Sequence, residues 1–185
     1  MVIQETEIPG CYELTPPIFR DERGEFVKTF HEEIFSQHNF ATHFPEEYYS
    51  LSRKDVLRGL HFQIPPRDHV KLVTCVVGEV FDVVVDLRVG SPTYGRHKSF
   101  ILNADKANML YIPAGLAHGF CVIGAPALML YKVTSVYSPE HDTGILWNSA
   151  DISWPVERPV VSARDAGFKP LSAFESPFRY EEERG

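Results

Sequence analysis

Short apolar segments separated by turn residues occupy the middle of the chain, from Tyr48 to Tyr137. They are rich in Val, Ile, Phe and Tyr, and clusters of Gly, Pro, Asn and Asp lie between them. The segments cover residues 70–77, 79–87, 98–102, 109–112, 119–123 and 128–134. Short strands at regular spacing with such turns favour an antiparallel sandwich or barrel of jelly-roll type. We therefore expect an all-β protein.

One of these segments, residues 80–87, is apolar at nearly every position apart from Asp82 and Asp86. A strand with one face in water alternates apolar and polar residues, so this pattern indicates a strand covered on both faces. In a small barrel the core covers one face. We expect a second sheet or a partner subunit to cover the other.

The two ends of the chain carry weaker signals. Residues 8–30 predict a strand, a turn and a strand, and residues 31–38 predict a short helix. Residues 162–168 predict another short helix, and residues 181–185 are expected to fray. With 185 residues the chain has the length of one domain with a real core. We expect a single jelly-roll domain over residues 1–185, with short helices near its termini.

The composition argues against several classes of partner. A formal net charge of -7 is unlike a nucleic-acid-binding protein. The first residues show no basic region followed by an apolar one, as a signal peptide has, and no apolar run reaches the ~18–20 residues that span a bilayer. Cys11, Cys75 and Cys121 are far apart and form no CxxC pair. They indicate buried free thiols in a reducing cytosol rather than zinc ligands.

The segment Arg58-Gly-Leu-His-Phe-Gln63, with Lys71 eight residues later, carries the clearest chemical signal. Arg58 is a side chain suited to binding oxyanions, His61 is a candidate general base and Lys71 adds a second cation. This set suits removal of a proton next to a carbonyl from a substrate that carries a phosphate. Gln63 and His61 face the same way on a strand, which strengthens the functional interpretation of His61 over that of a structural histidine.

Several other residues allow two interpretations on the sequence alone. Asp165, at the fourth position of Ser162-Ala-Arg-Asp165, fits a helix capping box, and this interpretation is favoured. Tyr131 is a core aromatic, which is favoured, or a phenol directed into the barrel. Arg23 is a turn residue or a phosphate contact. His118 could be a metal ligand, because jelly rolls often hold a metal on histidines. Such proteins carry two histidines one residue apart, where this chain has His61-Phe-Gln63. A metal site is therefore disfavoured.

Taken together, segments along nearly the whole chain resemble the dTDP-4-dehydrorhamnose 3,5-epimerase family of deoxysugar biosynthesis. The matching segments are residues 21–24, 56–63, 71–73, 78–83, 85–88, 91–95, 112–113, 117–120, 130–132, 137–139, 145–148, 154–155 and 162–165. The resemblance implies a cupin-like jelly roll that forms a homodimer, needs neither metal nor cofactor, and binds a nucleotide-diphosphate 4-keto-6-deoxyhexose. Its product would serve rhamnose-type, cell-surface polysaccharide synthesis such as that of lipopolysaccharide.

The resemblance also implies roles for individual residues. His61 would be the base that removes a proton from C3 or C5 of the sugar, with Asp165 as its partner, and Tyr131 the acid on the opposite face. Lys71 would stabilise the enolate oxygen. The implied substrate-binding residues are Arg23, Phe26, Glu46, Tyr48, Arg58, Gln63, His118, Tyr137, Asp142 and Arg164.

The chain departs from the family pattern at the nucleotide end. A Gln-x-Asn pair is usual where this chain has Glu46 and Tyr48. Lys28 replaces a usual Glu, Thr74 a usual Arg, and Arg164 a usual Lys. Because amide side chains discriminate bases by hydrogen bonding, these changes lead to the hypothesis that the sugar nucleotide need not be dTDP-linked.

Other functions are compatible with the sequence. A single-centre epimerase or a ketoisomerase would use much of the same residue set. A non-catalytic sugar-nucleotide binding protein would not need His61, Lys71, Tyr131 and Asp165 together. A metal-dependent cupin oxygenase would contain stoichiometric iron or zinc.

Overall fold

The computed structural model describes residues 1–181. Of residues 181–185, which are predicted to fray, all but Glu181 lie outside that part of the chain. The strands of the six-stranded sheet are β1 (Val2–Glu5), β2 (Tyr12–Thr15), β5 (Glu46–Ser52), β7 (Lys71–Val77), β10 (Met109–Ile112) and β12 (Ala127–Val133). The five-stranded sheet contains β6 (Leu57–Gln63), β8 (Glu79–Asp86), β9 (His97–Asn103), β11 (Leu116–Val122) and β13 (Asp142–Gly144). Strands β3 (Ile18–Asp21) and β4 (Gly24–Val27) form a separate hairpin.

The two larger sheets have the orders β1-β2-β10-β7-β12-β5 and β13-β6-β11-β8-β9, and their paired strands are antiparallel. Neighbours in each sheet are mostly distant in sequence, because the chain alternates between the sheets. The main core combines side chains of the six-stranded sheet, such as Val73 and Met129, with side chains of the five-stranded sheet, such as Val84 and Phe120. The fold is the all-β, cupin-like jelly roll that the sequence predicts.

Strand β8 is covered on both faces, as its continuous apolar sequence predicts. Val80 and Val84 belong to the main core, whereas Val83 and Val85 belong to a second cluster on the outer face of the five-stranded sheet. The C-terminal tail, which we define as residues 151–181, covers that outer face with side chains that include Trp154 and Phe178. The expected cover was a second sheet or a partner subunit, and the C-terminal tail takes its place.

The helical predictions are confirmed within one or two residues. Helix α1 spans Glu32–Gln37, helix α2 spans Ala163–Ala166, and Leu171–Ala173 forms a turn of 3-10 helix. Phe35 of α1 packs on the outer face of the six-stranded sheet, against Leu72 and Met109. No helix within residues 1–181 is long and apolar enough to cross a membrane.

Strand β11 begins three residues before its predicted start at residue 119. The Pro-Ala-Gly turn ends at Gly115, whose φ of +85° suits the turn, and pairing with β8 starts directly at Leu116. His118 therefore lies on a strand between two neighbours rather than in a turn. Strand β1, which sequence reasoning did not predict, forms one edge of the six-stranded sheet.

Candidate active site

A cleft of about 340 Å³ opens between the two sheets. Strands β5, β7 and β12 supply one wall, and β6 and β11 the other. The predicted site residues that line it are Glu46, Tyr48, Arg58, His61, Gln63, Lys71, His118, Tyr131, Tyr137, Asp142 and Arg164. A larger groove of about 620 Å³ beside β1, β2 and β9 contains none of the predicted residues.

His61 of β6 and Asp165 of α2 form a hydrogen-bonded pair at the cleft wall. The His61 Nε2 to Asp165 Oδ1 distance is 2.9 Å, and Asp165 Oδ2 accepts from the Gly59 amide at 3.1 Å. Burial alone would raise the pKa of Asp165, but the hydrogen bonds from His61 and Gly59, the charge of His61 and the nearby Ser162 hydroxyl hold it below its ordinary value. Asp165 is therefore ionised at neutral pH. The neutral His61 ring carries its proton on Nε2, which leaves the Nδ1 lone pair available as a base.

Asp165 also belongs to the helix cap that the sequence favours. The Ser162 hydroxyl, at the N-cap of α2, accepts from the Asp165 backbone N–H at 3.0 Å. The carboxylate itself does not complete a capping box, since it accepts from His61 and Gly59 instead. The interpretation of Asp165 as only a cap is thus corrected: its backbone serves the helix and its side chain serves His61.

Three glycines allow the close packing around His61. Strands β6 and β11 approach so closely that a Cβ on Gly59, where φ is +139°, would lie 2.6 Å from the Gly119 Cα. Gly144 pairs with His61, and a Cβ there would lie 2.5 Å from the Phe168 ring. The Phe168 ring in turn contacts the His61 ring edge to face, with centroids 5.9 Å apart. These contacts fix the imidazole from its backbone and from one side.

Lys71 lies on the opposite sheet and reaches toward His61. Its Nζ donates to the His61 carbonyl oxygen at 3.0 Å. Burial lowers the pKa of Lys71 to about 8, although the charges of Asp142 and Asp82 oppose this change. The ammonium group is still largely protonated at neutral pH and is available to a developing negative charge in the cleft.

Tyr131 combines the two interpretations that the sequence leaves open. It belongs to the main core, and it also lines the cleft. Its ring stacks on Tyr48 with a centroid distance of 4.7 Å and an interplanar angle of 13°, and His118 contacts it at 6.2 Å. Burial raises the pKa of Tyr131 far above its ordinary value, so the phenol holds its proton at neutral pH.

His118 is paired with a carboxylate that sequence reasoning missed. Its Nε2 lies 3.0 and 2.9 Å from the two carboxylate oxygens of Asp82, and both side chains are buried. Burial raises the pKa of Asp82, and the neighbouring His118 and Lys71 oppose the rise. The available signal was a charged residue within an otherwise apolar strand. Residues 1–181 contain no group of three or more His, Cys, Asp or Glu side chains placed to hold a metal ion.

Gln63 uses its whole amide on protein groups. Its Oε1 accepts from the Ser138 amide at 2.6 Å, and its Nε2 donates to the Arg67 carbonyl at 2.7 Å. That orientation makes His69 Nδ1, 3.1 Å from the same Nε2, an acceptor, so the His69 proton is on its own Nε2. Gln63 thus ties residues 67–69 to residues 136–138 beside the cleft.

His69 itself lines the cleft but was not predicted. Burial, together with the charge of Lys71, lowers the pKa of His69 to about 3, so the ring is neutral at physiological pH. The sequence contained a signal for it, because residues 69 and 71 are two apart and share a face of an extended segment.

The mouth of the cleft carries charged and aromatic residues. Arg58 is exposed and its Nε donates to the Ser52 hydroxyl at 2.9 Å. Glu46 accepts from the Tyr137 backbone N–H at 2.7 Å, while the Tyr137 ring is exposed. Asp142 and Arg164 form an ion pair. This end therefore offers cations and aromatic surface suited to a phosphorylated, ring-bearing ligand.

Arg23 and Phe26 do not join the cleft of their own chain. Both lie on the β3–β4 hairpin, where the Arg23 side chain is 84% exposed and pairs with Asp21, and Phe26 is 61% exposed. The residues that line the hairpin's own hollow include none of the cleft residues.

Comparisons with known proteins place the chain among nucleotide-sugar epimerases by sequence and by fold. A sequence model of the family described as dTDP-4-dehydrorhamnose 3,5-epimerase matches residues 5–173. The dTDP-4-dehydrorhamnose 3,5-epimerase of Shigella flexneri is 44% identical over 168 residues, which are 89% of this chain and 93% of that protein.

Solved structures show the same relationship. The dTDP-6-deoxy-D-glucose-3,5-epimerase of Legionella pneumophila, in complex with dTDP-4-keto-L-rhamnose, has a TM-score of 0.93 and 37% identity, covering 98% of this chain and 99% of that one. The 3'-monoepimerase ChmJ of Streptomyces bikiniensis, in complex with dTDP-quinovose, has a TM-score of 0.86 and 32% identity, covering 91% and 87%. Together with the family match, these similarities show that the chain belongs to the dTDP-4-dehydrorhamnose 3,5-epimerase family.

Proposed function

We propose that the protein inverts C3 and C5 of a nucleotide-diphosphate-linked 4-keto-6-deoxyhexose. The observation that carries this proposal is the placement of the His61–Asp165 pair on one wall of a cleft and of Lys71 and Tyr131 on the other. A base, a cation and a neutral acid around one cavity are the groups that epimerisation next to a ketone requires.

The first half of the reaction uses His61. The C4 ketone acidifies the hydrogens on C3 and C5. His61 Nδ1 takes one of these protons, the carbon–hydrogen bond breaks, and its electron pair moves through the new carbon–carbon double bond to the ketone oxygen. Asp165 stabilises the imidazolium through the 2.9 Å bond, and Lys71 stabilises the enolate oxygen.

The second half uses Tyr131. Its hydroxyl proton is delivered to the opposite face of the same carbon, a new carbon–hydrogen bond forms and the ketone is restored. The enzyme is left with a phenolate and an imidazolium, and proton exchange with solvent returns both to their starting states. Arg58 and His118 hold the substrate.

We infer dTDP as the nucleotide, since relatives with up to 44% identity are named for dTDP sugars. Glu46 and Tyr48 stand where the family usually has Gln and Asn, and these substitutions support the alternative hypothesis that the nucleotide carries a base other than thymine. Comparing the binding of dTDP, UDP, CDP and GDP distinguishes the two: clear preference for dTDP contradicts the hypothesis that arose from these substitutions.

Two copies are proposed to associate. Tyr49 and Leu51 of edge strand β5 are 68% and 62% exposed, and Leu51 and Val77 flank Leu128 on the outer face of the six-stranded sheet. An apolar face at an unpaired sheet edge favours a partner. A second copy also gives the exposed hairpin residues, Arg23 and Phe26 of the partner subunit, a way to reach a cleft.

The setting of the reaction is a further proposal. Three buried free cysteines within residues 1–181 support a reducing cytoplasm. The family resemblance supports rhamnose-type sugar synthesis for cell-surface polysaccharide such as lipopolysaccharide, and catalysis without a bound cofactor. Metal analysis of the purified protein tests the last point, and stoichiometric iron or zinc would contradict it.

Proton exchange in D2O tests the function directly. We would incubate the protein with a dTDP-linked 4-keto-6-deoxyhexose and follow C3 and C5 by NMR. The expected result is deuterium and inversion at both carbons, lost in His61→Ala. Labelling and inversion at one carbon would establish a single-centre epimerase, and a carbonyl that has moved would establish a ketoisomerase. The absence of exchange with the sugar linked to dTDP and, separately, to UDP, CDP and GDP would contradict all three.

A further inference from the structure

Tyr48 lies directly opposite Tyr131, its neighbour across the β5–β12 pair. The two rings are nearly parallel, at 13°, with centroids 4.7 Å apart. This geometry is an aromatic stack, which adds to the stabilisation from burial alone. Tyr131 also meets His118 edge to face, with ring centroids 6.2 Å apart. The Tyr131 ring therefore contacts one ring from each of the two sheets.

The two phenols differ in their surroundings. Tyr131 is buried, whereas Tyr48 is 40% exposed and forms the outer partner of the stack. Burial and the nearby carboxylates of Glu46 and Asp142 raise the pKa of Tyr48 to about 12. Both rings are neutral at physiological pH, so their interaction is packing rather than charge.

Ring orientation matters for an acid that serves one face of one carbon. Rotation about the outer torsion of a tyrosine leaves the phenol oxygen on the rotation axis but turns the ring plane, in which the O–H bond prefers to lie. This torsion is broad, so the side chain alone does not fix the direction of the proton. A proton donor needs its geometry held to about 10–20°. Contacts from neighbouring rings can restrict the ring plane, in addition to the interaction of the phenol with the Ser50 side chain.

We propose that Tyr48 is a positioning residue that holds the Tyr131 phenol in line with the carbon it protonates. This inference rests on the proposed function and goes beyond the role of substrate contact predicted for Tyr48. When the Tyr131 ring is loose, the His61 imidazolium exchanges its Nδ1 proton with solvent and then returns a solvent-derived proton to the original face of the carbon, which restores the ketone. Exchange with solvent then continues while inversion is lost.

The test separates exchange from inversion in Tyr48→Leu and Tyr48→Phe. In D2O with the dTDP-linked 4-keto-6-deoxyhexose, Tyr48→Leu is expected to lower the rate of inversion about tenfold or more while exchange falls much less. Tyr48→Phe keeps the stack and is expected to rescue most of the inversion. Tyr94→Leu, an exposed tyrosine outside the cleft, is the control for loss of a surface ring.

Ring-flip rates of Tyr131, measured by aromatic NMR without substrate, give a second and independent readout. Flipping is expected to be slow in the native protein and in Tyr48→Phe, and faster in Tyr48→Leu. Equal flip rates in all three proteins would overturn the proposal whatever the activity. A parallel loss of exchange and inversion in Tyr48→Leu, or no rescue by Tyr48→Phe, would also overturn it. Absence of exchange in the native protein would count against the proposed function instead.

Discussion

Asp165 accepts hydrogen bonds from two groups, His61 Nε2 and the Gly59 amide. A substitution by asparagine removes the negative charge of this side chain and keeps its shape. In Asp165→Asn the side-chain amide donates to His61 Nε2, which moves the imidazole proton to Nδ1, the basic nitrogen. We expect kcat to fall by about 10²–10⁴. Steady-state kinetics with the dTDP-linked keto sugar measures the loss.

A control for this substitution is Asp105→Asn, since Asp105 lies in an exposed turn outside the cleft. Thermal unfolding of both variants shows whether they fold. A folded Asp165→Asn protein with native kcat would contradict the proposed role of Asp165.

We expect Lys71 to set the alkaline limit of activity. Its pKa of about 8 means that the cation that stabilises the enolate disappears as pH rises through 8, so the rate should fall on that side. In Lys71→Arg the charge persists and the alkaline limb should move upward. A pH–rate profile of both proteins tests this, and an unchanged limb in the variant would assign it to another group.

The same buried lysine makes the free energy of unfolding depend on pH. Its pKa is lower in the folded protein than its ordinary value of 10.5. Between pH 8 and 10.5 the folded state therefore binds fewer protons than the unfolded chain. The contribution of Lys71 to the free energy of unfolding rises with pH across this window.

At the scale of elements, the close approach of the paired strands β6 and β11 depends on glycine. Gly59→Ala would place a Cβ 2.6 Å from the Gly119 backbone at a φ of +139°, and it would displace the amide that binds Asp165. We expect a loss of about 3 kcal/mol or more in the free energy of unfolding, measured with urea. Gly90→Ala is a matched control, since its φ is +91° but nothing lies within 4 Å, and about 1–2 kcal/mol is expected there. Equal losses in the two variants would contradict the close approach.

The same elements show how much the sequence could predict. Alternating and continuous apolar patterns located β7, β8, β10 and β12 within about one residue, because burial against a sheet is a local property of the sequence. The residues that meet in the cleft were harder to predict from the sequence. The contact between residues 61 and 165 joins positions 104 apart, and only the family resemblance indicated it.

The hydrogen-bond partners of buried polar side chains could not be predicted from the local sequence either. The Asp82–His118 pair and the Gln63 amide network depend on which strands become neighbours. The tail that covers β8 could not be identified from the strand's own sequence, which specifies only that some cover exists.

At the scale of the whole molecule, the exposed edge of the six-stranded sheet predicts a dimer. In Leu51→Glu an unpaired carboxylate would be buried in the contact, at a cost of about 3–5 kcal/mol. We expect the native protein to sediment as a dimer and the variant as a monomer with much lower activity. Glu157→Gln, at an exposed position away from the hairpin and the cleft, is a control. A monomeric native protein would contradict the proposed association.

We also propose that residues 1–185 unfold as one domain. Side chains of both sheets share the main core, and the tail packs on the five-stranded sheet. Thermal unfolding followed by far-ultraviolet circular dichroism and by tryptophan fluorescence should give coincident transitions, because Trp154 lies in the tail cluster. Separate transitions would mean that the tail melts independently.

The tail that covers β8 also delivers Asp165 to His61, which has a consequence for biosynthesis. During translation the strands that carry His61, Lys71 and Tyr131 emerge before helix α2 does. A nascent chain can thus assemble most of the barrel while its base still lacks its carboxylate. Under the proposed mechanism, catalytic competence arrives late, when the C-terminal tail docks, so enzymatic turnover would report the completion of folding and not merely the formation of the sheets.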